Sequence, residues 1–375
     1  MIPALIAGDV NTLERLLREN EQLREQYPGD ARAIILRAHH FESWAKFEEY
    51  LEARKRTDSP VAQFEAAADA IVAGDVTILQ SLLRANPELI HARSTRMHHA
   101  TLLHYAGSNG VEDFRQKTPK NIVTVVETLI SAGAEVDAVA DMYGGGCTTL
   151  GLAATSIHPL QAGVLAPLIE VLLKNGAAVD APSPGSIVNA CLANGRPEGA
   201  ELMAGHGAPL DLEGAAGLGR LEVVKTCFNE DGSLRPPATR EQMHRAFAWA
   251  CEYGRTSIVN FLLRHGVDLA APVKPHGQTG LHWAAYSGHS DIVKLLLNNN
   301  APVDAQDETW GTTPLGWALH AWRNPSPGAT PGQYQEVVAL LVAAGSQVQP
   351  DWIADDKVRA NPGMLATPGF REESS

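Results

Sequence analysis

The chain is poor in cysteine and in positive charge and has no long apolar run, and each shortage removes a class of protein. Its cysteines are Cys147, Cys191, Cys227 and Cys251, with no C-x-x-C and no paired spacing with histidine. That excludes a disulfide framework and a cysteine–histidine zinc site, and reads as reduced packing thiols in a cytoplasmic protein. Thirty lysines and arginines stand against 43 aspartates and glutamates, a net charge of −13. Binding to nucleic acid or to an anionic membrane needs a basic surface that displaces counterions, so neither partner is expected. No apolar run reaches the roughly 20 residues of a membrane span, and Met1 is followed by no secretory pattern. Phosphate-loop, dinucleotide, nucleophile-elbow and zinc-protease motifs are missing, and Gly144 to Gly146 opens no helix after a strand. No cofactor and no metal is expected.

What the chain has is repetition. From Gly277 to Ala305, GQTGLHWAAYSGHSDIVKLLLNNNAPVDA holds two short helical patterns joined by a Gly-His turn. Leu281, Ala284 and Ala285 mark the first helix, and Ile292, Val293, Leu295, Leu296 and Leu297 the second. Neither helix can bury that band alone, so the unit must lean on copies of itself. Copies exist at a spacing of 34 residues: Trp249, Trp283 and Trp317 are in register, as are Gly254 and Gly288. TGLHWA (Thr279 to Ala284) is matched by TPLGWA (Thr313 to Ala318), TLLHYA (Thr101 to Ala106) and TTLGLA (Thr148 to Ala153). This resembles the ankyrin repeat, whose signature is T-P-L-H-x-A. The resemblance implies an all-α solenoid of about nine helix-turn-helix repeats with short β-hairpin fingers. It also implies that His104 and His282 tie neighbouring turns by hydrogen bonds, and that the tryptophan column is an aromatic packing ladder or, less simply, a ligand platform.

Four segments follow. Residues 1–28 form a partial N-terminal repeat, either a cap or the remainder of a longer one; residues 29–58 are a helical insertion; residues 59–349 are the solenoid; residues 350–375 are a cap, carrying Trp352 and Ile353, and a frayed tail. Within the insertion, HHFESWAKFEEYL resembles an HGF-x-SW segment found near the start of many bacterial ankyrin proteins. His39 and His40 are adjacent and point apart on a helix, which argues against a metal site. Three turns are enlarged, starting at Glu112, Ile157 and Arg323, and all are expected to protrude on the side away from the fingers.

The positions that the repeat leaves free carry the functional expectation. In the ankyrin arrangement the two residues before each turn glycine face the groove, among them Ser108 and Asn109, Asn194, Gly217 and Leu218, Glu252 and Tyr253, Tyr286, and His320. The fingers add Asp141, Tyr143, Asp307, Glu308 and Trp310. Tyrosine and tryptophan beside carboxylates is interface-like composition, and it predicts a protein or peptide partner of basic or amphipathic character. The binding residues are expected to be Asn109, Asp141, Tyr143, Asn194, Tyr253, Tyr286 and Trp310. The alternative is a small-molecule binding protein or enzyme with a pocket near the fifth to eighth repeats, where Gly217 leaves a hollow and His244, Glu252, Glu213 and His320 supply proton donors and acceptors.

Overall fold

The computed structural model describes residues 1–179, 186–324, 331–367 and 369–370. The chain divides into two compact units, Met1–Pro209 and Leu210–Ser375. Both are helical, and among the described residues β-pairing is confined to isolated antiparallel bridges at the fingers: Arg93 with Thr101, Ala140 with Cys147, Phe228 with Leu234, and Val273 with Gln278. The third enlarged turn lies mostly outside the described residues, as does the end of the fourth repeat beyond residue 179.

The first unit pairs Ile2–Ala7 with Val10–Glu19, Pro60–Ala73 with Val76–Ala85, Thr149–Thr155 with Leu165–Lys174, and Ile187–Ala193 with Pro197–Gly205. Local sequence explains the sharp reversal between paired helices. Gly8 and Gly74 end their helices in the left-handed region at φ 66° and 74°, and Asp9 and Asp75 cap the next helix by accepting from Thr12 N and Ile78 N. In the repeat that begins at Thr101 the first helix is a 3-10 turn, Leu102–Gly107, followed by Ile122–Ser131.

The insertion forms its two helices, Ala31–His39 and Trp44–Lys55, and Ser43 Oγ caps the second by accepting from Lys46 N. His39 is fully buried, its Nε2 2.9 Å from Leu5 O and its ring 4.9 Å from that of Phe47. Burial pulls its pKa down to about 4, so it packs as a neutral ring. His40 O accepts from Met97 N at 2.9 Å, which pins the insertion to the first finger.

The turn starting at Glu112 does not protrude. Glu112 and Arg115 turn inward, 0% and 2% exposed, and meet Glu65 of Pro60–Ala73 and Arg96 of the finger, themselves 2% and 0% exposed. Arg96 pairs with both Glu65 and Glu112, while Arg115 Nη1 lies 2.7 Å from Glu65 Oε2. Tyr50 Oη donates to Glu65 Oε2 at 3.0 Å, Tyr105 Oη to Glu112 Oε1 at 3.3 Å, and the Arg96 guanidinium stacks 4.8 Å from the Tyr50 ring centroid. Burial alone would raise the pKa of Glu65, but Arg96 and Arg115 override it and hold the carboxyl at about 2. The turn starting at Ile157 also packs: it coils into a short helix, Ile157–Gln161, with Pro159 buried.

The second unit pairs Leu212–Gly217 with Leu221–Thr226, Arg240–Glu252 with Thr256–Arg264, Gly280–Tyr286 with Ser290–Asn298, and Pro314–Arg323 with Pro331–Ala343. Its core is aliphatic: Ile258, Val259, Leu262, Ile292, Val293, Leu296, Val337, Val338 and Leu341 are all at 0% exposure. Each such side chain contributes about 1.5–3 kcal/mol by leaving water. The tail beyond Ile353 was expected to fray. Its described residues, 354–367 and 369–370, pack instead, in short helices whose Val358 and Met364, with Phe370 beyond them, are fully buried. Three apolar side chains spaced along it find the exposed end of the last helix pair, which outweighs its glycine and charge content.

Candidate interaction surface

The second unit's fingers are built around Asp307. This carboxylate is 3% exposed and accepts from Thr309 N (2.9 Å), Trp310 N (2.7 Å), Thr312 N (3.0 Å) and Trp317 Nε1 (3.1 Å). Burial works against its charge, yet these hydrogen bonds hold its pKa below the usual carboxylate range. Asp307 was expected to face a partner; it organises the loop from within. Glu308 N donates to His276 O at 2.8 Å, and His276 Nδ1 lies 2.9 Å from Thr309 Oγ1, which links this finger to the preceding one.

On that frame stands an array of rings. Trp317 makes edge contacts with Trp283 (5.4 Å between centroids, 67°), Tyr286 (5.4 Å, 70°) and Trp310 (5.8 Å, 63°). Trp283 and Tyr286 meet at 6.3 Å and 84°. Trp283, Tyr286 and Trp317 are half-buried, while Trp310 is 63% exposed. Trp249, the third of the column, is buried at 8%. The column thus runs from buried at Trp249 to half-buried at Trp283 and Trp317, and the open ring, Trp310, stands beside it.

His282 sits behind the array. Its Nδ1 accepts from Thr279 N at 3.0 Å, which leaves the proton on Nε2 to donate to Thr312 O at 3.0 Å. In the first unit His104 repeats this arrangement with Thr101 N (3.1 Å) and Cys147 O (3.1 Å), and burial lowers its pKa to about 4. Both histidines tie one turn to the next finger, as the resemblance implied.

A family model of ankyrin repeats (3 copies) matches residues 212–307 and 247–351, all within the second unit. The second unit is made of ankyrin repeats. The first unit's His104 tie shows the same repeat geometry at work there. Among solved structures, the human ASB11 ankyrin repeat domain is similar at 20% identity, covering 76% of this chain and 99% of that one, with a TM-score of 0.35. No curated protein matches the sequence. No helix among the described residues is long and apolar enough to cross a membrane. Stacked repeats of this kind present extended binding surfaces, and ankyrin repeats are in general protein-interaction modules, which supports a scaffold role for the second unit.

Several positions assigned to the groove are used for packing. Ser108 is buried and donates to Lys117 O at 2.6 Å; Gly217 and Leu218 are buried, and Gly217 O accepts from Arg255 Nε at 2.9 Å. The hollow expected at Gly217 is therefore filled. Asn109 bridges Thr155 Oγ1 (3.0 Å) and the Tyr143 hydroxyl (2.7 Å), and Tyr143 remains 72% exposed. Asp141 Oδ2 lies 2.8 Å from His99 Nδ1 at an exposed finger tip. Exposed Asn194 closes its own helix by donating to Ala190 O at 2.8 Å.

The four residues of the enzyme alternative lie on three helices of the second unit, Leu212–Gly217, Arg240–Glu252 and Pro314–Arg323. Burial raises Glu213 to about 7, tempered by Arg245 at 3.6 Å, and the other charges acting on it are Asp211 and Glu241. Burial raises Glu252 to about 8, tempered by a hydrogen bond from Tyr253. His244 is half-buried in Arg240–Glu252, and His320 is exposed on Pro314–Arg323. Sequence reasoning missed the buried Glu65, Arg96, Glu112 and Arg115 group, since each residue reads as surface charge on its own.

Proposed function

We propose that this ankyrin-repeat protein binds a basic or amphipathic peptide segment of a partner protein through the aromatic surface of its second unit. The supporting observation is Trp310, 63% exposed and held from behind by Asp307 and Trp317. A large ring that a soluble monomer exposes at the cost of ordered scaffolding is the usual anchor of an interface. Tyr286 and Trp283 extend it, Glu308 supplies an acidic edge and Glu252 and Tyr253 polar ones, and the chain's charge of −13 favours a cationic partner. In the first unit, exposed Tyr143 with Asn109, Asp141 and exposed Asn194 are assigned to polar contacts with a partner. The unpaired thiols of Cys147, Cys191, Cys227 and Cys251 support a reducing compartment, the cytoplasm, as its location.

Selection from a displayed random peptide library tests this reading. Wild type should enrich sequences containing lysine or arginine next to an apolar residue, and the folded Tyr286→Ala, Trp310→Ala double variant should fail to retain them. Peptides retained equally by both proteins, or enrichment of acidic sequences, would remove the surface from consideration.

A further inference from the structure

We propose that the partner's recognition element is an arginine side chain, laid on the open face of Trp310 and paired with the Glu308 carboxylate. This rests on the aromatic surface being the binding surface, and names the chemistry it selects. Three observations carry it.

The rings pack against one another at 5.4 to 6.3 Å, edge to face, and not around a cavity. A caged ammonium needs rings arranged about an empty centre, whereas a guanidinium needs one open face on which to stack. Trp310, 63% exposed, provides that face, with the His276 ring 5.6 Å and the Trp317 ring 5.8 Å away.

Glu308 is placed beside it by the neighbouring finger. Gly277 takes φ 75°, and any Cβ there would collide with the Glu308 side chain, so the glycine lets that side chain lie across the finger. Trp310 rests beside His276 and Glu308 beside Gly277, so ring and carboxylate flank one dipeptide. Among the described residues no ion pair engages the exposed Glu308. A planar guanidinium can stack and donate hydrogen bonds to a carboxylate in the same pose, which a compact, strongly hydrated ammonium does less well.

The loop is also set before binding. Asp307 holds Thr309, Trp310 and Thr312 by their backbone N–H groups, so little loop ordering remains when a ligand arrives.

The test follows the seven tryptophan indole N–H resonances of the full chain during titration with three acetylated, amidated pentapeptides, Ala-Arg-Ala-Arg-Ala and its lysine and citrulline counterparts. Trp310→Phe assigns its own peak. The Trp310 peak should move most, with arginine binding about fivefold tighter than lysine and citrulline weakest. Glu308→Gln should abolish the preference for arginine over citrulline, and Lys274→Ala, which removes a cation from the neighbouring finger, should tighten the arginine peptide. Equal binding of arginine and lysine, an unchanged order in Glu308→Gln, or shifts confined to other indoles would overturn the assignment. The two readings fail separately: library-selected peptides that need Tyr286 and Trp310 but lack arginine sink this inference and leave the binding surface standing.

Discussion

The two units bury different things. In the first, Glu65, Arg96, Glu112 and Arg115 are sealed at 0–2% exposure, and they join the inserted helix pair, a repeat helix, a finger and an enlarged turn. In the second, the core is stacked aliphatic side chains, and Trp249, Trp283 and Trp317 keep the 34-residue period. The difference follows from the sequence: where the period is broken, apolar faces no longer meet in register, and directional charge pairs hold the irregular pieces in one arrangement. Desolvation consumes most of what such pairs return, so the network specifies the position of the insertion more than it stabilises the unit. It is nevertheless easy to break.

The largest expected effect is therefore in the first unit. Arg96→Leu leaves Glu65 and Glu112 short of a shared partner and should destabilise that unit by about 3–5 kcal/mol, through an uncompensated buried charge. Hydrogen exchange should localise the loss to residues 29–120 and spare the second unit. A uniform loss across both, or a change below about 1 kcal/mol, would show that the network is not what holds the insertion.

Acid should separate the units next. His39 and His104 are neutral in the fold at pKa about 4, below the ordinary 6.5, so their contribution is complete above pH 6.5 and is lost as pH falls toward 4. Glu65, held at about 2 instead of 4.5, adds a further loss as pH falls below 4.5. Exchange protection of the first unit should decline in two stages on acidification, and a His39→Phe variant should blunt the first stage.

How much of this was legible in the sequence depends on the range of the interaction. The helix pairs, the turn glycines with the aspartates Asp9 and Asp75 that follow Gly8 and Gly74, and the His104 and His282 ties all repeat or lie within a few residues, and a single line of text shows them. The charge network joins residues up to 50 apart, each ordinary on its own, and nothing local marks Glu112 or Arg115 as buried. Ser108 went astray for another reason: its helix is a 3-10 turn, and at three residues per turn, counting back from the turn glycine lands on a different face. Trp310 was found because a tryptophan in a finger loop has no helical face to pack into, while Asp307 beside it looked equally free and is buried beneath it.

The smallest effect runs the opposite way in the second unit. Glu213 and Glu252, raised by burial to about 7 and about 8, hold more of their protons near neutrality in the fold than in the unfolded chain, where both are ionised. The folded state then binds more protons, so stability present below about pH 4.5 is lost as pH climbs through 7 and 8. His282, lowered by burial, acts in the acid direction below its ordinary 6.5, so the window from 6.5 to 8 isolates the two carboxylates. Six of the seven tryptophans lie beyond residue 210, and Trp44→Phe leaves urea unfolding followed by fluorescence as a report on the second unit alone. Its midpoint should fall from pH 6.5 to 8, while exchange protection of the first unit, corrected for intrinsic rates, stays level. Glu213→Gln and Glu252→Gln should each remove part of the slope, and the double variant most of it. A slope unchanged in Glu213→Gln, or a matching fall in the first unit, would mean that the two halves do not differ in what their buried charges ask of the solvent.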